Sequence, residues 1–158
     1  MPLKNLIDSM FGNKPVDSSL ELSELGSRGA IEALAAALPD SLKWEWDDRF
    51  GCVAAAFEVA EKETMHSAVK AQLSLQWNRD SIRSAPTNVK KAINDFGGVA
   101  TGQLLFARGL TEEIILLGLW WPWGHGATIS IRFVPYGKDA SDEAVDAVRA
   151  ELKKAFRL

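Results

Sequence analysis

The chain holds one cysteine, Cys52, two histidines, His66 and His125, and a single tyrosine. A lone thiol forms no internal disulfide, so the fold must rest on its core, and a reducing, cytoplasmic setting is expected. One cysteine and two histidines at no short spacing cannot supply the four nitrogen and sulfur ligands that zinc takes. No Asp-rich loop carries the calcium-binding spacing either, so no metal is expected. Basic residues are not in excess: 18 Lys and Arg stand against 21 Asp and Glu, a net charge of -3. That balance argues against a nucleic-acid partner, which needs a basic face.

Long apolar runs are absent as well. The longest, Ile114 to Trp123, is interrupted by Gly118 and Pro122 and is about half of what a spanning helix needs. Gly97-Gly98-Val99-Ala100-Thr101-Gly102 follows a predicted helix and leads into a predicted strand. A phosphate loop runs from strand to helix, so this segment is read as a helix cap and turn, and no nucleotide cofactor is expected. There is no Gly-x-Ser-x-Gly elbow. Cys52 reads as a small buried hydrophobe, and His66, between Met65 and Ser67, as a strand-edge residue, so no catalytic residue is assigned.

What the chain does have is the make-up of one soluble globular domain: 158 residues, 47% hydrophobic and 25% charged. The start has no stretch resembling a secretory signal. Leu3, Leu6, Ile7, Met10 and Phe11 fall on one helical stripe, and Gly12 to Gly26 reads as a linker. The N-terminal unit is therefore expected over 1–26 and the domain over 27–158. The stripe is expected to dock on the domain or on a second copy. Weak contact with a membrane surface is the alternative, since Lys4 and Asp8 give little attraction to anionic lipid.

Ser27 is placed as the cap of a helix through Leu38, closed by Pro39 and Asp40, and Leu42, Trp44 and Trp46 alternate as a half-buried strand. Asp47-Asp48-Arg49-Phe50-Gly51 is a turn before a strand carrying Val53, Ala55, Phe57 and Val59. Val69, Ala71, Leu73, Leu75 and Trp77 alternate with polar residues and are read as a third strand. Thr87 opens a helix with Val89, Ile93 and Phe96. Strands follow over 103–108, over 113–121 and around Ile129, Ile131 and Phe133. Ser141 caps a last helix whose acidic first turn and basic last turn suit the helix dipole. The expected fold class is α+β: an antiparallel sheet of about six strands in helix–three strands–helix–three strands–helix order, with the helices mainly on one face.

Tryptophan is abundant, at six residues. Trp44, Trp46 and Trp77 are placed in the core. Trp120 and Trp121, consecutive on a strand, must face opposite ways, and Pro122, Gly124 and Gly126 then force a turn bearing Trp123 and His125. Exposed aromatics at a loop tip bury much area with little rotamer entropy to lose, which suits an interface. The expected contact residues are Trp121, Trp123 and His125, with Asp47, Asp48 and Arg49 at a second turn. The expected function is a non-catalytic protein-binding module, such as a toxin-neutralising immunity protein or a secretion chaperone, to which the layout is similar. Its acidic surface would meet a basic partner. The alternative is a small-molecule site or enzyme pocket lined by the Trp120–His125 loop, with Arg132, Glu113 and Tyr136 as companions of His125.

Overall fold

The computed structural model describes residues 26–137 and 139–158, so the expectation for the stripe over 3–11 lies outside the described residues. The elements, in chain order, are α1 (Gly26–Ala37), β1 (Glu45–Asp47), β2 (Cys52–Glu58) and α2 (Lys62–Gln72), the last entered through a 3-10 turn at Val59–Glu61. Then come β3 (Leu75–Trp77), a 3-10 turn at Ile82–Ser84, α3 (Thr87–Asn94), β4 (Leu104–Gly109), β5 (Ile115–Pro122), β6 (Thr128–Tyr136) and α4 (Asp142–Ala155). The six strands form one antiparallel sheet in the order β1-β2-β6-β5-β4-β3. This is the expected α+β class.

Several local expectations change: Val59 is 39% exposed in the 3-10 turn and not on the inward face of a strand, and of the segment read as strand from Leu42 only Glu45–Asp47 is strand. Residues 62–72 are helix, and only Leu75–Trp77 of the alternating segment is strand. Val69 and Leu73 are four apart, a spacing that a helix and a strand both place on one face. Met65, Val69 and Leu73 are all buried while Ala71 is exposed, which is the helical outcome. Arg108 Nη1 donates to the Gln72 carbonyl at 2.9 Å and so fixes the end of α2. Ser27 lies inside α1 and donates to Glu151 at 3.0 Å, tying α1 to α4 instead of capping. Ser141 does cap α4, accepting from the Ala144 N–H.

The sheet is covered on both faces. α1, α2 and α4 pack on the face that carries Val53, Phe57, Phe106, Leu116, Trp120, Ile131 and Phe133. The opposite face carries Cys52, Leu105, Ala107, Ile115, Leu117, Leu119 and Val134, with α3 laid on it through Val89, Ala92 and Ile93. β5 is thus buried on both sides, which is why its sequence reads as a continuous apolar run instead of an alternating one. α3 is short and leaves part of this second face uncovered: Ala56 and Glu58 of β2 are exposed there. At the centre of the first face, Phe106 on β4, Gly118 on β5 and Phe133 on β6 lie side by side. Gly118 brings no side chain, and Leu73, which caps the end of α2, drops into the space, so the end of α2 sits close against the middle of the sheet.

Candidate functional site

β5 and β6 are joined by a five-residue loop, and its geometry is set by hydrogen bonds. Trp123 N–H donates to the Thr128 carbonyl at 2.8 Å, and Gly126 N–H donates to the Trp123 carbonyl at 3.0 Å. Gly126 adopts φ +80°, which a side chain would resist. His125 Nδ1 accepts from the Ala127 N–H at 3.0 Å, so in the neutral ring Nε2 carries the proton as a donor. Trp123 and His125 meet edge to face with centroids 5.6 Å apart. Trp123 is 47% exposed. The loop therefore presents a large aromatic on an ordered turn.

Trp120 and Trp121 do part to opposite faces. Trp120 lies in the main core, edge-on to Phe57 at 5.2 Å. Trp121 is half-buried on the α3 face, where the Arg132 guanidinium stacks over its ring at 4.9 Å and Phe50 meets it edge-on. Arg132 Nη1 donates to Ser130 Oγ at 3.0 Å, and its Nε lies 3.8 Å from Asp47 Oδ2. Asp47 Oδ1 also accepts from the backbone N–H groups of Arg49 and Phe50. Arg132 thereby links Asp47 to Trp121.

The six sequence-derived contact residues thus occupy separate places. Trp123 and His125 stand at the hairpin tip. Trp121 and Asp47 are joined through Arg132 within the sheet face. Asp48 is exposed, and Arg49 lies over the Phe50 ring at 4.5 Å. Both belong to the turn that opens β2, whereas the tip lies beyond the end of β2, where Glu58 pairs with Thr128. Of the companions proposed for His125, Tyr136 pairs with Ile115 at the far end of the hairpin, with Glu113 just before it. Both are too far along the strands to serve His125.

Beside the tip is a cleft of about 600 Å³ between α2 and the base of the hairpin. Lys62, Glu63 and His66 line it from α2, Trp120 and Pro122 from β5, and Ile129 from β6. His66 Nε2 lies 2.9 Å from Gln76 Oε1, within hydrogen-bond distance. The ring packs edge-on against Phe106 at 5.4 Å and Trp120 at 5.8 Å. His66 is therefore a half-buried helix residue facing a cleft, not a strand-edge residue. Reading Met65, Val69 and Leu73 as a helical stripe would have turned Lys62, Glu63 and His66 to one side and disclosed this wall.

Cys52 is buried on the α3 face. Burial, reinforced by the Asp47 carboxylate and opposed by Arg132, pushes its thiol up to about 12, the reverse of an activated nucleophile. Among the described residues no three His, Cys, Asp or Glu side chains gather closely enough to hold a metal ion. No helix among them is long and apolar enough to cross a membrane. Comparison with protein-family models, curated proteins and solved structures found no match to this chain.

Proposed function

We propose that this chain is a non-catalytic protein-binding module that holds one partner through the tip of the β5–β6 hairpin. The observation that carries the reading is Trp123, 47% exposed on a loop fixed by three hydrogen bonds. An ordered aromatic loses little entropy on binding, and truncating such an anchor typically costs at least about 2 kcal/mol of affinity. The net charge of -3 favours a partner with a basic face. We assign the module to the cytoplasm, in the manner of toxin-neutralising immunity proteins and secretion chaperones.

The test is affinity capture of the tagged chain from its native lysate, beside a Trp123→Ala variant with an unchanged melting curve. One stoichiometric protein that Trp123→Ala releases supports the reading. An empty capture, or a partner that Trp123→Ala retains, refutes it.

One observation favours a second reading, a small-molecule site in the adjoining cleft. His66 faces that space between two aromatic rings, and about 600 Å³ falls within the usual range for ligand pockets. A metabolite retained by the wild type and lost in His66→Ala, with protein capture unaffected, would favour it over the first.

A further inference from the structure

The cleft between α2 and the base of the hairpin has a floor and a rim of different chemistry. Val59, Leu104, Trp120, Pro122 and Ile129 give it apolar surface. Trp120 and Ile129 are buried members of the main core, so that part of the floor is held rigid by packing. Val59 is exposed at its edge, one of the few large apolar side chains that the described residues leave open to water.

The first two turns of α2 supply the rim. Lys62 and His66 are four residues apart, and so are Glu63 and Ser67. The helix therefore shows the opening two rows, with Cβ atoms about 5–6 Å apart along each. Lys62 and Glu63 are both exposed, and among the described residues neither side chain takes part in a hydrogen bond or an ion pair. Side chains one apart on a helix do not face each other, so the two charges are offered to a third body without neutralising one another. A simple anion attracted by Lys62 meets the Glu63 carboxylate, and a simple cation drawn to Glu63 meets the ammonium of Lys62. Only a ligand with both charges close together satisfies the pair, and the floor asks that it carry an apolar body as well.

We infer that the cleft binds a free α-amino acid with a large apolar side chain, its carboxylate at Lys62, its ammonium at Glu63 and its side chain on Trp120 and Ile129. His66, one turn on from Lys62 and edge-on to Trp120, joins the charged rim to the apolar floor. The inference rests on the reading of this cleft as a small-molecule site and adds the class of molecule to it.

The experiment titrates the full chain by calorimetry with L-leucine, L-phenylalanine and L-tryptophan. At least one should bind with a Kd below about 1 mM. Its analogues lacking only the ammonium or only the carboxylate should each bind about fivefold or more weakly, having lost one attraction and kept the opposing charge. Glu63→Gln should erase the preference over the analogue without the ammonium, and Lys62→Met the preference over the analogue without the carboxylate. Both residues are exposed, so the melting curves should not change. Failure of all three amino acids to bind, equal binding of the singly charged analogues, or preferences that both substitutions leave intact would overturn the inference. Mass spectrometry of small molecules retained by the chain from its native lysate separates the two levels. A retained molecule that is lost in His66→Ala and is not an amino acid overturns the class and leaves the small-molecule reading standing. No retained molecule, together with no amino-acid binding, overturns both.

Discussion

Gly118→Ala tests whether α2 is seated by the missing side chain at the centre of the sheet. A Cβ at this position would stand 3.2 Å from Leu73 Cδ2 and 3.3 Å from both Phe106 Cβ and Phe133 Cε1. Carbon pairs are most favourable near 3.5–4.0 Å, so three neighbours must each yield by a few tenths of an ångström. Phe106 and Phe133 are fully buried on the strands that flank Gly118, and Leu73 is 1% exposed, so none has free space to move into. Overpacking of this kind costs about 1–3 kcal/mol, and the lower entropy of alanine in the unfolded chain returns about 0.4–1 kcal/mol. The net expectation is about 1 kcal/mol of destabilisation, or a fall of about 2–4 °C in Tm for a chain of this size. Gly118→Val should lose about 3 kcal/mol or more.

Urea unfolding followed by tryptophan fluorescence measures both. The sharper version is a double-mutant cycle: in a Leu73→Ala background the methyl finds space, so the two losses should fall short of additivity by at least about 0.5 kcal/mol. A Gly118→Ala protein as stable as wild type, or strict additivity with Leu73→Ala, would refute the argument that this glycine seats α2.

Asp47→Ala removes the acceptor for two backbone N–H groups and leaves Arg132 Nε without its carboxylate, so chemical denaturation should register a loss of about 1–2 kcal/mol. Asp47→Asn keeps an acceptor oxygen and should lose roughly half as much. Because the Cys52 thiol is raised from 9.0 to about 12 in the fold, its share of stability is complete below pH 9 and disappears as pH rises towards 12. Urea midpoints measured from pH 8 to 11 should therefore fall more steeply for wild type than for Cys52→Ala. The folded thiol should also resist a disulfide reagent at pH 8 until denaturant is added. Ser141→Ala deletes the cap of α4 and should cost about 1 kcal/mol, visible as a lower thermal midpoint.

The hairpin and its tip were legible because their determinants are local. Pro122, Gly124 and Gly126 punctuate the chain, and the strand period alone separates Trp120 from Trp121. The antiparallel sheet followed from short connections and from alternation in part of the strands, since β5 does not alternate and most of the third alternating segment is helix. What was hidden depends on contacts distant in sequence or on a coincidence of periods. Spacings of four at Met65, Val69 and Leu73 fit strand and helix alike, and only the cover that α2 receives from Phe106 and Gly118 decides between them. With the helix unread, His66 and the cleft could not be placed. The link from Asp47 through Arg132 to Trp121 joins residues from opposite ends of the domain, and no local pattern marks it.

The sheet order also sets a timetable for synthesis. β2 lies beside β6, with Val53 opposite Phe133, so β2 must wait for a strand made eighty positions later in the chain. At about 5–20 residues per second, the eighty positions between those partners take about 4–16 s to appear. The β5–β6 hairpin, by contrast, can close as soon as it emerges, and it offers β2 a ready edge. Through that interval the apolar segment Cys52–Phe57 has only the three-residue β1 beside it and an open edge where β6 will pair, which makes it a stretch in need of protection from aggregation while the protein is being made.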